Sequence, residues 1–500
     1  MTETKILTSE ERRQQFIESG WLVSIPLATI PAHWLYSGEN RLDGGFYTAE
    51  VTAALRIVND CGYTVQTVAD LADEIFILDR FRRIYASDKK AGWAYLSASE
   101  TLDFRPTSER YIAKDHAPKL AKRHFAKAGW ILVSSSGTVG RMILATERLS
   151  HYFLTHDLIR IVAKETSFSG YIYAFLSTKI GQALISKDQY GSAVKHLEPH
   201  HIAQVPVPLL PEKIQTETHK EIMRAFALRD EANYLLDEAD RLLHKNLDLP
   251  YFDESLVQYL PAPKKLNEVR DNMPHPKAFS LKASTLQDRF DASFHVPVAK
   301  TAISILKKGK YAPTQLSNLS KRIFIPTRFK RIYVPKEYGV PFLQGSHLPQ
   351  IRPYDLKHLS LKANAKHINE CLIHSGYVLV TRSGTIGRIG LVTSSQDKWG
   401  ASEHILRVVP DEGKAHSGFI AAFLMTPYGQ FQLKSKIYGG VVDEITEEDT
   451  GDIWIPNAPE KIQTQIGELV KSAFEKKAEA SKIEEAAIAK IESLLNSGRS

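Results

Sequence analysis

The sequence predicts an α+β fold written twice: two tandem repeated mixed α/β globular domains separated by two long helices that form an antiparallel coiled coil. Three observations lead there. The first is internal repetition, because VSSSGTVGR (Val133 to Arg141) returns as VTRSGTIGR (Val380 to Arg388), an offset of 247 from 141 to 388. The second is the matching order of further segments at nearly the same offset. IFILDRFRRIY (Ile75 to Tyr85) pairs with IFIPTRFKRIY (Ile323 to Tyr333), SGYIYAFLSTKIGQ with SGFIAAFLMTPYGQ, and LPEKIQT with APEKIQT. The third is a charged, alanine-rich stretch with helical periodicity closing each copy.

Each element has its own justification. Residues 1–20 read as a polar N-terminal extension, and MTETKILTSEERRQQ lacks the apolar core of a signal peptide. The first globular copy spans 21–210. Within it GWILVSSS reads as a buried strand and YIYAFLSTKIGQALI as a helix. The proline-marked VPVPLLPE ends it, since proline suits a first helical turn and not a central strand. A helix follows over 211–247. Residues 248–279 carry five prolines and little periodicity, and read as a linker. The second copy occupies 280–457 and closes with IWIPNAPE, and its helix covers 458–497.

In the helical stretches Ala225, Ala232 and Ala239 recur every seven residues, flanked by Leu228, Leu235 and Leu242. The second stretch repeats this at Ala473, Ala480 and Ala487, with Ile466, Ile483, Ile491 and Leu494 nearby. Small residues at each heptad let two helix axes approach closely. A pseudo-twofold duplication would set the pair head to tail, and about 36 residues at 1.5 Å each would give a spacer on the order of 50 Å.

The charge is +7 with a pI of 9.0, and it is unevenly spread. Residues 301 to 400 hold 16 Lys and Arg against 4 acidic residues, and 101 to 150 hold 9 against 4, whereas 201 to 250 hold 6 against 9. Two basic blocks, one per copy, suit nucleic acid better than a uniformly solvated surface. RFRRIY and RFKRIY set Arg80, Arg82, Arg83 and Arg328, Lys330, Arg331 beside Phe81, Tyr85, Phe329 and Tyr333. As strands, they would put Phe81, Arg83 and Tyr85 on one face and Arg80 and Arg82 on the other. Arginine can contact phosphate or read guanine bidentately. The alternative is a solvated hairpin whose arginines cover aromatic surface.

SGTVGR and SGTIGR are not Walker loops, which need lysine and Ser or Thr after the second glycine; Arg141 and Met142 stand there. They read as turns after a strand, either purely structural or offering N–H groups to phosphate, with Arg141 and Arg388 as the positioning side chains. Arg105 and Arg352, in the paired FRP and IRP segments, join the DNA-contact set. Positions that differ between copies are candidates for base reading, because identical readers would recognise identical half-sites; Ser135 against Arg382 is one.

Taken together these segments resemble the specificity subunits of type I restriction-modification enzymes. The resemblance covers nearly the whole chain: an arginine-aspartate-aromatic motif opens each copy (Arg41, Asp43, Tyr47; Arg289, Asp291, Phe294), SGT[VI]GR follows, and a proline-glutamate helix start comes at Pro211, Glu212 and Pro459, Glu460. The chain departs from the family pattern at Lys213 and Lys461, where glutamine is usual, and at GWAYL, where the second copy has GVPFL. The resemblance implies that the globular copies are target-recognition domains, each reading half of a bipartite site in double-stranded DNA. It also implies that the helices dock two methyltransferase subunits, with a restriction/translocase subunit as an optional further partner. The setting it implies is a prokaryotic cytoplasm and a role in phage defence.

Catalysis is expected elsewhere. An adenine methyltransferase would carry an Asn/Asp-Pro-Pro-aromatic tetrapeptide, and the chain has no Pro-Pro pair. No cofactor is therefore expected in this chain, and S-adenosylmethionine belongs to the partner. Glu412-Gly413-Lys414 lacks the distant acidic residue a nuclease needs, and His196, His200 and His201 face Glu444, Glu448 and Asp449 in the other copy, so no metal site is expected. Cys61 and Cys371 cannot build a disulfide framework, which suits a reducing cytosol.

Overall fold

The computed structural model describes residues 47–86, 88–165, 168–187, 189, 195–260, 278–286, 289–440 and 442–497. Arg41, Asp43, the 1–20 extension and much of the 248–279 linker lie outside them. Two compact units result: Met1–Ala227 with Ala480–Ser500, and Leu228–Glu479.

The first unit begins with helix α1 (Ala49–Asp60), whose Thr48 hydroxyl caps it by accepting from Val51 N–H at 3.3 Å. Strand β1 (Thr64–Thr67) pairs antiparallel with β9 (Pro206–Leu209). The central sheet runs in the order β2 (Ala72–Phe76), β8 (Leu158–Ala163), β5 (Ile131–Ser134), β6 (Met142–Leu144), all antiparallel. A smaller sheet joins β4 (Tyr111–Ala113), β3 (Gly92–Leu96) and the parallel β7 (Phe153–Leu154). Helices α2 (Ser169–Ser177) and α3 (Lys179–Ser186) follow; Tyr171 to Leu176 are all buried, which is why this stretch is apolar on every side.

The second unit repeats that order with one added edge strand in the smaller sheet. Helix α5 (Pro297–Lys308) follows the long helix α4 (Glu212–Leu247). Strand β10 (Pro313–Gln315) pairs with β19 (Trp454–Pro456). The central sheet is β11 (Ser320–Phe324), β18 (Ile405–Pro410), β15 (Val378–Thr381), β16 (Ile389–Leu391). The smaller one is β12 (Tyr333–Val334), β14 (Lys357–Ser360), β13 (Gly339–Leu343), β17 (Gly400–Ala401). Then come α6 (Ser417–Met425), α7 (Pro427–Ser435) and the second long helix α8 (Glu460–Ser497).

The two long helices run antiparallel within each unit. Lys490 bonds Glu217 at 2.9 Å in the first unit; in the second, Lys476 bonds Glu231 at 2.6 Å and Asn246 meets Gln465 at 3.3 Å. Ala225, Ala232, Ala239, Ala473, Ala480 and Ala487 are buried at 0–1% exposure. The flanking layer differs from expectation by one residue. Leu228 is buried as expected, but after Ala232 and Ala239 the buried leucines are Leu236 and Leu243, four residues on, whereas Leu235 and Leu242, three residues on, are half-buried. The same shift puts Ile483 and Leu494 half out and Glu484 and Leu495 in. Glu484 is fully buried and accepts from the Tyr173 hydroxyl at 2.6 Å, which satisfies an otherwise costly carboxylate.

Domain helices meet the long helices through glycine. In the second unit a Cβ on Gly418 of α6 would lie 2.2 Å from the Gly467 carbonyl oxygen of α8. In the first, one on Gly170 of α2 would lie 2.9 Å from His219 of α4. An imidazole sits at both joints. His219 Nδ1 accepts from Gly170 N–H at 3.1 Å, and His416 Nδ1 accepts from Gly418 N–H at 3.1 Å. The first histidine lies on the long helix and the second just before the domain helix, yet each satisfies an orphan N–H at a helix start.

Candidate nucleic-acid interface

The basic-aromatic motifs are not strands. Residues 77–84 have no regular structure, Tyr85 makes an isolated bridge to Ile112, and in the second unit only Tyr333 and Val334 enter a sheet. Phe81 and Phe329 explain this, since each packs against a core cluster under its loop. Phe81 packs edge-on against His124, Phe153 and His156, and Phe329 stacks on His367 with centroids 4.8 Å apart. Arg80, Arg82, Arg328 and Lys330 are left exposed, while Arg83 and Arg331 turn back onto the domain.

Arg83 bonds Asp157 at 3.1 Å and lies 5.6 Å from the Tyr95 ring centre. Arg331 bonds Glu403 and lies 5.3 Å from the Phe342 ring centre. The partner carboxylates stand one position apart in the repeat: His156-Asp157 in one unit faces Glu403-His404 in the other. Asn364, itself buried, grips the loop on both sides of Arg331. Its amide donates to Lys330 O at 2.9 Å, and its oxygen accepts from Ile332 N–H at 3.2 Å. The result in the second unit is an open groove of about 460 Å³ lined by Arg328, Phe329, Arg331, Tyr333 and Glu403. Glu403 is held below its usual carboxylate range: burial opposes this, and its own backbone N–H and Arg331 outweigh burial.

Beneath each loop lies an arginine that sequence reasoning missed. Arg160 and Arg407 are fully buried and bonded to backbone carbonyls. Arg160 donates to Leu158 O and Thr155 O at 2.6 and 3.0 Å. Arg407 donates to Ser402 O, Ile405 O, Ala401 O and Cys371 O. Burial lowers both to about 10, so both remain charged at neutral pH and fix the turn that carries His156-Asp157 or Glu403-His404. The only sequence signal is one arginine inside an apolar strand, in both copies.

The SGT loops are tight turns joining β5 to β6 and β15 to β16. Gly137 and Gly140 have φ of 72° and 82°, Gly384 and Gly387 of 71° and 86°, the left-handed region that favours glycine. Gln182 and Gln430 donate to the Gly140 and Gly387 carbonyls. Arg141 and Arg388 are half-buried at the ends of these turns, and Arg105 and Arg352 are also half-buried, the latter 4.9 Å from the Tyr354 ring centre. The expectation of base reading at Ser135 and Arg382 is corrected. Both are buried, at 5% and 6% exposure, because both lie in the backbone frame: residue 135 bonds 157 and 197 as residue 382 bonds 404 and 445. Arg382 spends its guanidinium on Glu444 at 2.7 Å and Ile445 O at 3.2 Å.

Asp411 pairs with Lys414 at 3.3 Å in a turn after β18. Among the described residues no group of three or more His, Cys, Asp or Glu could hold a metal, and no helix is long and apolar enough to cross a membrane.

Burial also makes the first unit acid-sensitive. His124 is buried, bonds Leu154 O at 2.7 Å and stacks on Phe153, and burial lowers its pKa from 6.5 to about 4. The unfolded chain then binds more protons, so stability is full above pH 6.5 and falls as pH drops toward 4. Thermal melting should show that loss, and His124→Gln should reduce it; an unchanged pH profile in the variant would refute the assignment.

Comparison with solved structures finds likeness to the S subunit of a type I restriction-modification system from M. genitalium: 11% identity, 87% of this chain, 95% of that chain, TM-score 0.36. A second is the HsdS subunit from Thermoanaerobacter tengcongensis, with 13% identity, 88% and 97% coverage and TM-score 0.25. A third comes from a study of complex assembly and conformational transition of the type I R-M system, with 14% identity, 86% and 97% coverage and TM-score 0.25. No family model matches the chain, and no curated protein matches it significantly.

Proposed function

We propose that this chain is a noncatalytic, sequence-specific DNA-binding specificity subunit of a type I restriction-modification system. It recognises a bipartite target and directs methyltransferase subunits to it. The observation that carries the reading is the doubled interface. Two units whose central sheets share one strand order each present a loop of exposed cations, Arg80 and Arg82 or Arg328 and Lys330, braced by packed aromatics and an anchored arginine. Exposed cations supply the sequence-independent attraction to phosphates, and arginines held at fixed positions can add base selectivity. Each unit would read one half-site, and the paired helices would be the docking surface for two methyltransferase subunits carrying S-adenosylmethionine. Recruitment of a restriction/translocase subunit and a cytoplasmic location in a prokaryote belong to the same proposal.

The test is selection from a random duplex pool at fixed salt, with the chain co-purified with its methyltransferase. Two short enriched half-sites at one separation are expected. Arg80→Ala and Arg328→Ala should each weaken a different half-site by about 1–3 kcal/mol and relax preference there. A single contiguous motif would mean that one unit has lost its reading role. No enrichment would favour a coiled-coil scaffold, and metal-dependent cleavage or methyl transfer by the isolated chain would favour a DNA enzyme.

A further inference from the structure

The groove of the second unit holds more negative charge than phosphate contact can use. Arg328 Nη2 lies 3.6 Å from Glu444 Oε1, and Arg328 Nε lies 3.9 Å from Glu403 Oε1. Glu444 is held from beneath, where its other oxygen accepts from Arg382 at 2.7 Å. The two arginines differ in access: the Arg382 side chain is 8% exposed and the Arg328 side chain is 67% exposed. Glu403, at 9% exposure, stays with Arg331. Glu444 is thus a carboxylate locked in orientation by a buried cation, with its free edge turned toward an exposed one.

The first unit lacks this device. The bridges Ser136 to His196 and Ser383 to Glu444 are equivalent, so His196 stands where Glu444 does, and Ser135 where Arg382 does. A carboxylate repels phosphate and weakens nonspecific attraction, so a loop serving only phosphates gains nothing from it. It does match a base edge. Carboxylates accept from the cytosine N4 amine, and arginine donates to guanine O6 and N7. An arginine and a glutamate side by side therefore present the donors and acceptor that complement the major-groove edge of one G·C pair.

Building on the DNA-reading role proposed above, we propose that Arg328 and Glu444 are the specificity-determining residues for one G·C pair in the half-site of the second unit. On binding, Arg328 leaves Glu444 for guanine, and Glu444, kept in place by Arg382, accepts from the cytosine amine. With the Arg328 side chain 67% exposed and 3.6 Å from Glu444, the pair is screened by solvent on the arginine side and contributes little stability, so the exchange costs little. Because the first unit has His196 and Ser135 at these positions, its half-site does not use this device.

The experiment is random-duplex selection with the full chain, wild type against Glu444→Gln, followed by titration of the enriched duplex and its single-pair variants. An amide carries both donor and acceptor, which suits adenine better than cytosine. The expected result is loss of about tenfold discrimination at one G·C pair in one half-site, with the other half-site unchanged. Unchanged preference in Glu444→Gln, with Arg328→Gln weakening all sequences equally, would reduce the pair to a phosphate contact and overturn the proposal. Should Glu444→Gln fail to melt like wild type, Arg328→Gln alone decides, since that side chain is exposed: loss at the same pair supports, uniform loss overturns. Wild-type protein that enriches no sequence would overturn the DNA-reading role itself, and that arm reads out independently of both variants.

Discussion

Replacing Arg407 with leucine should lower the unfolding free energy of the second unit by about 3–5 kcal/mol, an effect measurable by urea denaturation followed through tryptophan fluorescence. The guanidinium serves four backbone carbonyls in a site from which solvent is excluded. Each carbonyl left without a donor costs about 1–3 kcal/mol, and the shorter leucine adds a void. Arg407→Lys should fall between, because one ammonium cannot reach carbonyls spread around a planar fork. If the groove binds DNA as proposed, affinity should drop with stability, since Ser402 and Ile405 bracket Glu403 in the groove. A loss below about 1 kcal/mol would show that water replaces the guanidinium without penalty.

The second large effect is steric. Gly418→Ala would press a methyl group to 2.2 Å from the Gly467 carbonyl oxygen, and backbone on both sides must separate to admit it. Destabilisation of about 3 kcal/mol is expected by thermal or urea unfolding. Gly170→Ala should cost less, because its nearest contact is 2.9 Å. Equal effects at the two positions would mean that the closer approach in the second unit is relieved by an easy shift of α6.

The sequence discloses those features whose signals are local or repeated. Duplication, the buried strands, the SGT turns and the alanine layers are written as residue types at fixed spacing, and glycines 137, 140, 384 and 387 mark the left-handed positions directly. What escaped depends on partners far apart in the chain. The RFRRIY motif alternates as a strand does, but core packing of Phe81 against Phe153 and His156 pulls it out of any ladder. Arg382 differs between copies, which made it look like a reader, yet Glu444, 62 residues away, claims it. Arg160 and Arg407 resemble interruptions of an apolar strand until the carbonyls around them are seen. In the helix layer a heptad alternates steps of three and four, and after Ala232 and Ala239 a leucine stands at both steps, so spacing alone does not choose between them.

The exchanged histidines at the glycine joints bear on how freely such units can be recombined. One joint takes its imidazole from the long helix and the other from the domain, so neither half is complete alone. A chimera grafting the Gly170 domain onto the Gly467 segment would supply no imidazole at all, and the reciprocal graft would crowd two into one place. Interchange of globular domains in this chain is therefore governed by a junction rule: the domain and the helix segment that carries it must be transferred as a matched pair.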